Sequence, residues 1–221
     1  DLTFEVTSDA RAALTGVDYI ITTIRAGGDA GRLFDEQTCL AHGVLGQETT
    51  GAGGFAMAIR SVPTLVYYCT LAREVANPGH LIFNFTNPSG IITQALRSKG
   101  FDNVYGICDA PSGFIKQLEE ILEIPYGTLD IECYGLNHLS WFRNAKVNGR
   151  DVQRELLDNP RTYEHSEMRL FTREMARISG DCMLNEYLYF YYRRVKSLSM
   201  IQKPDHPRGE MIYLINRELE E

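Results

Sequence analysis

Two residues in this sequence have the chemistry to hold a metal ion between them: Cys108, in the stretch NVYGICDAP, and His138, in YGLNHLSW. A thiolate and an imidazole together suit a borderline divalent ion, and two protein ligands leave coordination positions open for substrate oxygens. Taken singly, each has a duller explanation. Free cysteines are among the most buried side chains and mostly behave as small hydrophobes. A histidine between apolar residues usually serves as a hydrogen-bonded structural group. The pair is what points to chemistry.

Cys108 follows a short apolar segment, Val104 to Ile107, and that segment is the third of its kind. Asp18 to Ile24 (DYIITTI) and His80 to Phe85 (HLIFNF) have the texture of buried parallel strands. Helical spacing alternates with them. It covers Ala10 to Leu14 behind a Thr7-Ser8-Asp9 cap signal, residues 55 to 76 with Pro63 as a kink or break, residues 91 to 98, and Ser112 to Leu122. The alternation predicts a doubly wound, Rossmann-like parallel α/β sheet. Ligands of such sheets bind beyond the carboxyl ends of the strands, so the turns RAGG, TNPSG and CDAP are expected to face one crevice. From Leu129 to Val147 the texture becomes strand-rich, then helical with many Arg, Glu and Tyr residues, which puts a change of domain near 128/129.

Composition narrows the function classes. The 221 residues are 44% hydrophobic and 23% charged, with a net charge of −7. That is ordinary for a globular protein with a sizeable core, and its dispersed basic residues argue against nucleic-acid binding. No run approaches the roughly 18 to 20 apolar residues of a membrane span, and no leader opens the chain, so a cytoplasmic protein without a membrane partner is expected. Cys39, Cys69, Cys108, Cys133 and Cys182 are odd in number and lack CxxC spacing, which fits a reducing compartment. The stretch GAGGFA at 51 to 56 satisfies the G-x-G-x-x-A pattern of a dinucleotide loop. The polar residues before it cannot be the strand that such a loop requires, so it reads as a decoy, with some role in a ligand-facing loop left open.

Together the motifs resemble family 4 of the glycoside hydrolases, the NAD- and metal-dependent group that includes 6-phospho-β- and 6-phospho-α-glucosidases. The matching pieces, in order, are TTIRAGGDAGRLFDE, HGVLGQETTGAGGFA, NFTNPSG, YGICDAP, GLNHLSWF and NEYLYFYY, spread over nearly the whole chain. The resemblance implies a fold of the lactate/malate dehydrogenase type. Residues 1–128 would be the C-terminal part of an NAD-binding domain, and 129–221 the N-terminal part of an α+β substrate domain.

The resemblance also implies roles. Cys108 and His138 become ligands of a catalytic divalent metal, usually Mn2+, and Tyr187 becomes the base, with Tyr189 as the alternative. Arg208 is expected to bind a substrate 6-phosphate, Arg25 to supply a second cationic contact, and Asn87 and Asn137 to touch substrate. The implied reaction runs through oxidation at C3 with NAD, removal of the C2 proton, elimination of the aglycone, addition of water and reduction by the same cofactor. The outcome is hydrolysis without net redox. Members that act on α-linked substrates are expected to carry an acid two residues before the metal cysteine. Gly106 stands there, which favours β-glycosides.

Two features depart from the family. Its members open with a strand and glycine-rich loop ahead of the region matching Asp1, and they continue beyond Glu221. The sequence is therefore expected to be a piece of a longer protein, with a homo-oligomer, dimer or tetramer, expected for the whole. Other readings are a family 4 hydrolase of α-linked or unphosphorylated glycosides, an NAD-dependent 2-hydroxy-acid dehydrogenase that needs no metal, and an inactive fragment or sugar-phosphate binding module.

Overall fold

The computed structural model describes residues 2–203 and 208–220. The chain divides into two compact units, residues 1–107 with 202–221, and Cys108–Ile201.

The first unit holds helix α1 (Ala10–Leu14), strand β1 (Tyr19–Thr22), helices α2 (Gly28–Ala41) and α3 (Gly51–Val75), strand β2 (Leu81–Asn84), helix α4 (Ser89–Ser98) and strand β3 (Val104–Gly106). The strands form a parallel sheet in the order β1-β2-β3, with Thr22 opposite Asn84 and Asn84 opposite Gly106. Ile82, Val104, Leu65, Cys69, Ile92 and Leu96 build the core of this unit. β1 was expected to be buried on both faces, yet Tyr19 and Ile21 are 71% and 66% exposed. Among the described residues β1 pairs with β2, and its Ile20 face packs against the core.

α3 corrects two further expectations. Of the kink or break expected at Pro63, the break does not occur; Pro63 is exposed and so is Ile59, so the carbonyl left without a donor lies on the solvent side of the helix. By length and composition α3 is also apolar enough to cross a membrane, although no such run was expected. Its buried residues Leu65, Cys69 and Ala72 pack into the core of this unit, and its Arg60 pairs with Asp35 of α2.

The glycines of GAGGFA have a packing explanation. A Cβ on Gly53 would lie 2.8 Å from the Gln47 carbonyl oxygen, and one on Gly54 would lie 2.8 Å from the Thr49 carbonyl carbon. Loop 47–49 therefore lies against the first turn of α3, and only glycines leave it room.

The second unit opens with helix α5 (Ala110–Leu122), then strands β4 (Leu129–Leu136), β5 (Leu139–Val147) and β6 (Arg150–Asp151). Helices α6 (Gln153–Asp158) and α7 (Pro160–His165), a 3-10 turn (Glu167–Leu170), helix α8 (Arg173–Ile178), strand β7 (Met183–Leu184), and helices α9 (Leu188–Tyr192) and α10 (Arg194–Ile201) follow. β4 and β5 form an antiparallel hairpin, and β5 also pairs with β6 and β7. The expected change of texture at 128/129 falls inside this unit, because compactness follows packing. Phe114 and Leu118 of α5 share one core with Phe142, Leu156, Met168 and Leu184, and the Phe114 and Phe142 rings meet edge to face at 4.9 Å. The C-terminal helix α11 (Arg208–Glu220) belongs to the first unit and packs on α2.

Phe142 is fully buried at the centre of the second core. Phe142→Ala should cost about 3 to 5 kcal/mol of stability, as aromatic truncations in closed cores do. A urea midpoint implying a loss below about 1 kcal/mol would contradict this account of the core.

Candidate functional site

The hairpin register decides where His138 goes. Leu136 pairs with Leu139, so the reversal is made by Asn137 and His138 alone. His138, the second residue of the turn, is at positive φ, 59°, a conformation in which histidine is over-represented among non-glycine residues. Just before the turn, Gly135 has φ 119°, and a Cβ there would sit 2.3 Å from the Leu139 carbonyl oxygen. The Gly-Leu-Asn-His motif is thus first of all a hairpin instruction.

The turn leaves Asn137 exposed and His138 buried, 6% exposed. His138 Nε2 lies 3.5 Å from Cys108 Sγ, at the start of the same unit. Its ring stacks on that of Tyr187, with centroids 3.9 Å apart and planes within 19°. Burial pushes the His138 imidazole down to about 4, against a smaller opposing pull from the Asp109 carboxylate. At neutral pH the ring is therefore uncharged and keeps a lone pair for a ligand.

Cys108, His138 and Tyr187, placed far apart in the chain, are brought together. Tyr187 is half-buried and stands just before α9 at its N-cap, while Tyr189 is turned into the core. The Tyr189 ring meets Phe171 edge to face, and its hydroxyl donates to Met200 Sδ at 3.4 Å.

The donor set fits a divalent metal. A thiol sulfur and an uncharged imidazole nitrogen 3.5 Å apart are donors of the kind a borderline divalent ion takes. Among the described residues no group of three or more His, Cys, Asp or Glu side chains is clustered for a metal.

The other expected site residues belong to the first unit. Arg25 pairs with Asp29 and with Glu48 at 2.9 Å, and Glu48 also holds Arg32 at 3.1 Å. Asn87 is half-buried and precedes Pro88 through a cis peptide. The TNPSG turn is pinned to the RAGG turn. Thr22 Oγ1 donates to Asn84 Oδ1 at 2.9 Å, and the Ile24 N–H donates to Thr86 Oγ1 at 2.9 Å. Arg208 is exposed at the first position of α11, and the next residue's N–H, that of Gly209, donates to the buried Glu36 at 2.8 Å. Residues 204–207 of the KPDHPRG stretch lie outside the described residues.

Sequence reasoning overlooked Glu167 and Asn185. Both are buried, and both are bonded to the segment that carries Tyr187. Asn185 opens the NEYLYFYY stretch but was not singled out within it, and SEMRL holds no spacing signal that marks Glu167.

Comparisons with known proteins bear on the whole chain. Residues 1–124 match the model of family 4 glycosyl hydrolases, and 133–221 match that family's C-terminal domain. The 6-phospho-β-glucosidase BglT of Thermotoga maritima is 38% identical over 148 residues, which is 66% of this chain and 35% of that protein. A 6-phospho-α-glucosidase of Lacticaseibacillus paracasei is 34% identical over 155 residues, 69% of this chain and 35% of the relative. The solved Thermotoga maritima 6-phospho-β-glucosidase with manganese, NAD+ and glucose-6-phosphate superposes with a TM-score of 0.85 at 32% identity, over 96% of this chain and 50% of that one. The chain thus spans between a third and half of the length of these relatives.

The depressed basicity of His138 has a thermodynamic consequence. Unfolded, the ring takes its proton near 6.5; folded and metal-free, near 4. Between those values the unfolded state binds more protons, so stability falls as pH drops through the window, by on the order of 3 kcal/mol from this residue. His138→Asn keeps a residue tolerant of positive φ and should remove that part of the pH dependence. Equal pH slopes for wild type and variant in urea unfolding would contradict the assignment.

Proposed function

Since the chain belongs to family 4 of the glycosyl hydrolases, we propose that the whole protein hydrolyses 6-phospho-β-glucosides by oxidation, elimination, addition and reduction. The observation that carries this reading is the juxtaposition of Cys108, His138 and Tyr187. Residues 1–128 are proposed as part of the NAD-binding domain and 129–221 as part of the substrate domain, in keeping with two family models that leave a gap between 124 and 133.

Cys108 and His138 would hold a divalent metal, manganese by preference, which when bound supplies Lewis-acid polarisation of substrate oxygens. NAD, when bound, supplies the hydride acceptor and donor at C3. The chain's own residues do the rest. Neutral His138 offers Nε2 as a ligand and presents its ring face to Tyr187. A carbonyl at C3 makes the C2 hydrogen acidic, and Tyr187, acting as its phenolate, takes that proton at Oη to become the neutral phenol. The electron pair left at C2 expels the aglycone from C1, and water adds to the resulting double bond in the reverse sense.

The β preference is supported by Gly106. A Cβ there would lie 2.7 Å from Thr93 Oγ1 and 3.1 Å from Ser89 Oγ, so the position of the expected α-type acid has no room for a side chain. The 6-phosphate preference is supported by Arg208, because guanidinium donors meet phosphate oxygens two at a time. Arg25 is proposed as the second cation, and Asn87 and Asn137 as substrate contacts. A cytoplasmic setting and homo-oligomeric assembly are proposed with the function; all five cysteines are free thiols, as a reducing compartment allows.

In the whole protein, chelation should abolish hydrolysis and manganese restore it. Removing NAD should stop turnover although no net oxidation occurs, and a 6-phospho-β-glucoside should be cleaved faster than its α-linked or unphosphorylated counterpart. Turnover without metal or NAD would end this reading, and a faster α-linked substrate would reverse the anomeric assignment. Arg208→Ala should raise KM for the phosphorylated glucoside roughly 10- to 100-fold, the loss of one charge-assisted contact of about 1.5 to 3 kcal/mol. An unchanged KM would remove Arg208 from the phosphate site.

A further inference from the structure

Glu167 is a buried carboxylate, 6% exposed, for which the reaction above has no use. Its Oε2 accepts two hydrogen bonds, from Asn185 Nδ2 at 3.0 Å and from the Glu186 N–H at 2.9 Å. Asn185, 1% exposed, then accepts at Oδ1 from the Tyr187 N–H at 3.1 Å. Its own N–H donates to the Ser140 carbonyl on β5, two residues beyond His138, at 3.2 Å. One carboxylate oxygen is thus tied through one amide to the backbone of Tyr187, and that amide is tied to the strand whose turn presents His138.

The rest of the surroundings hold Glu167 in place. Its N–H donates to Gln117 Oε1 of α5 at 2.9 Å, and the next residue, Met168, sits in the core with Sδ accepting from the Leu184 N–H at 3.1 Å. Burial pushes the Glu167 carboxyl up to about 7. An apolar residue in its place would avoid that cost but would leave the Asn185 amide and the Glu186 N–H unpaired.

We propose that Glu167, acting through Asn185, is a positioning residue for Tyr187, setting where its phenol lies against the His138 ring and the C2 hydrogen of the substrate. The inference rests on Tyr187 being the base. A general base works only within hydrogen-bond reach of the proton it takes, and the main-chain bonds at 185 to 187 fix the start of the helix from which that phenol projects. The role is geometric: what Glu167 supplies is an acceptor at the Oε2 position, whether or not it is charged.

Two substitutions separate geometry from charge. Glu167→Gln keeps an acceptor oxygen, and Glu167→Met keeps the length and removes it. In the whole protein with NAD and manganese, E167M should lower kcat roughly 10- to 100-fold, the scale of an ångström-sized misplacement at a reacting centre. KM should change less than about threefold, and the kinetic isotope effect of a C2-deuterated 6-phosphoglucoside should rise because proton removal becomes slower relative to the other steps. E167Q should recover most of the activity. Equal losses in E167Q and E167M, or an isotope effect unmoved in E167M, would overturn the proposal by leaving only a charge or a folding role. If E167M does not fold, Asn185→Ala carries the same test, and an unchanged kcat and isotope effect there would overturn it. Tyr187→Phe keeps the two failures apart. C2–H exchange with solvent surviving in Y187F would sink the base assignment itself, whereas an inactive Y187F beside an unaffected E167M would sink only the positioning role.

Discussion

A two-residue reversal between paired strands allows His138 very little freedom, and the arrangement around it depends on that limit. With Leu136 opposite Leu139, a shift of register by one residue would turn every side chain of the hairpin to the other face. His138 would then leave Cys108 and Tyr187, and Phe142 would leave its core. The same register that fills the core therefore aims the imidazole, and a ligand position is specified by packing instead of by local flexibility. Burial completes the effect by withholding the proton. An imidazole that titrated in the usual range would be partly charged near neutrality and would repel a cation, whereas one pushed to about 4 is an available ligand throughout that range.

Buried glutamates do the joining in both units. Glu36 accepts the Gly209 N–H, Glu119 accepts the N–H groups of Thr128 and Leu129, and Glu167 accepts that of Glu186. Each ties a helix or turn to a main-chain segment elsewhere in its unit, and each is almost wholly buried. They differ in their compensation. Glu36 has Arg32 at 2.9 Å, itself buried. Glu167 has only the partly exposed Arg169 acting at a distance, and its neighbour Glu186 opposes ionisation. A carboxylate held by dipoles alone is the costlier kind, and it stands beside the segment that carries Tyr187.

Much of this was legible in the sequence, for identifiable reasons. The strands at 19, 81 and 104 and the helices α3 and α4 follow from β-branched runs and helical spacing, which are local signals, whereas α2 (Gly28–Ala41) was not expected. The Cys108 and His138 pair was legible because two uncommon ligand types stood in short motifs of defined order. The persistence of α3 through Pro63 depends on which side of the helix meets solvent, which no local pattern states. Glu167 was invisible for the same reason: a buried hydrogen-bonded carboxylate and a surface one have the same letter.

Tyr187 and Tyr189 show how packing separates two residues that composition leaves alike. In the sequence LYFYY and its preceding tyrosine, either residue has the right chemistry. Successive residues of a helix turn by about 100°, so side chains two apart point to nearly opposite sides. Once the Tyr189 ring is seated against Phe171 in the core, a residue two positions earlier is directed away from that core. Tyr187 meets the His138 ring instead. The aromatic cluster that argued against a chemical role is therefore divided: burying one tyrosine is what leaves the other at the face of the candidate ligand.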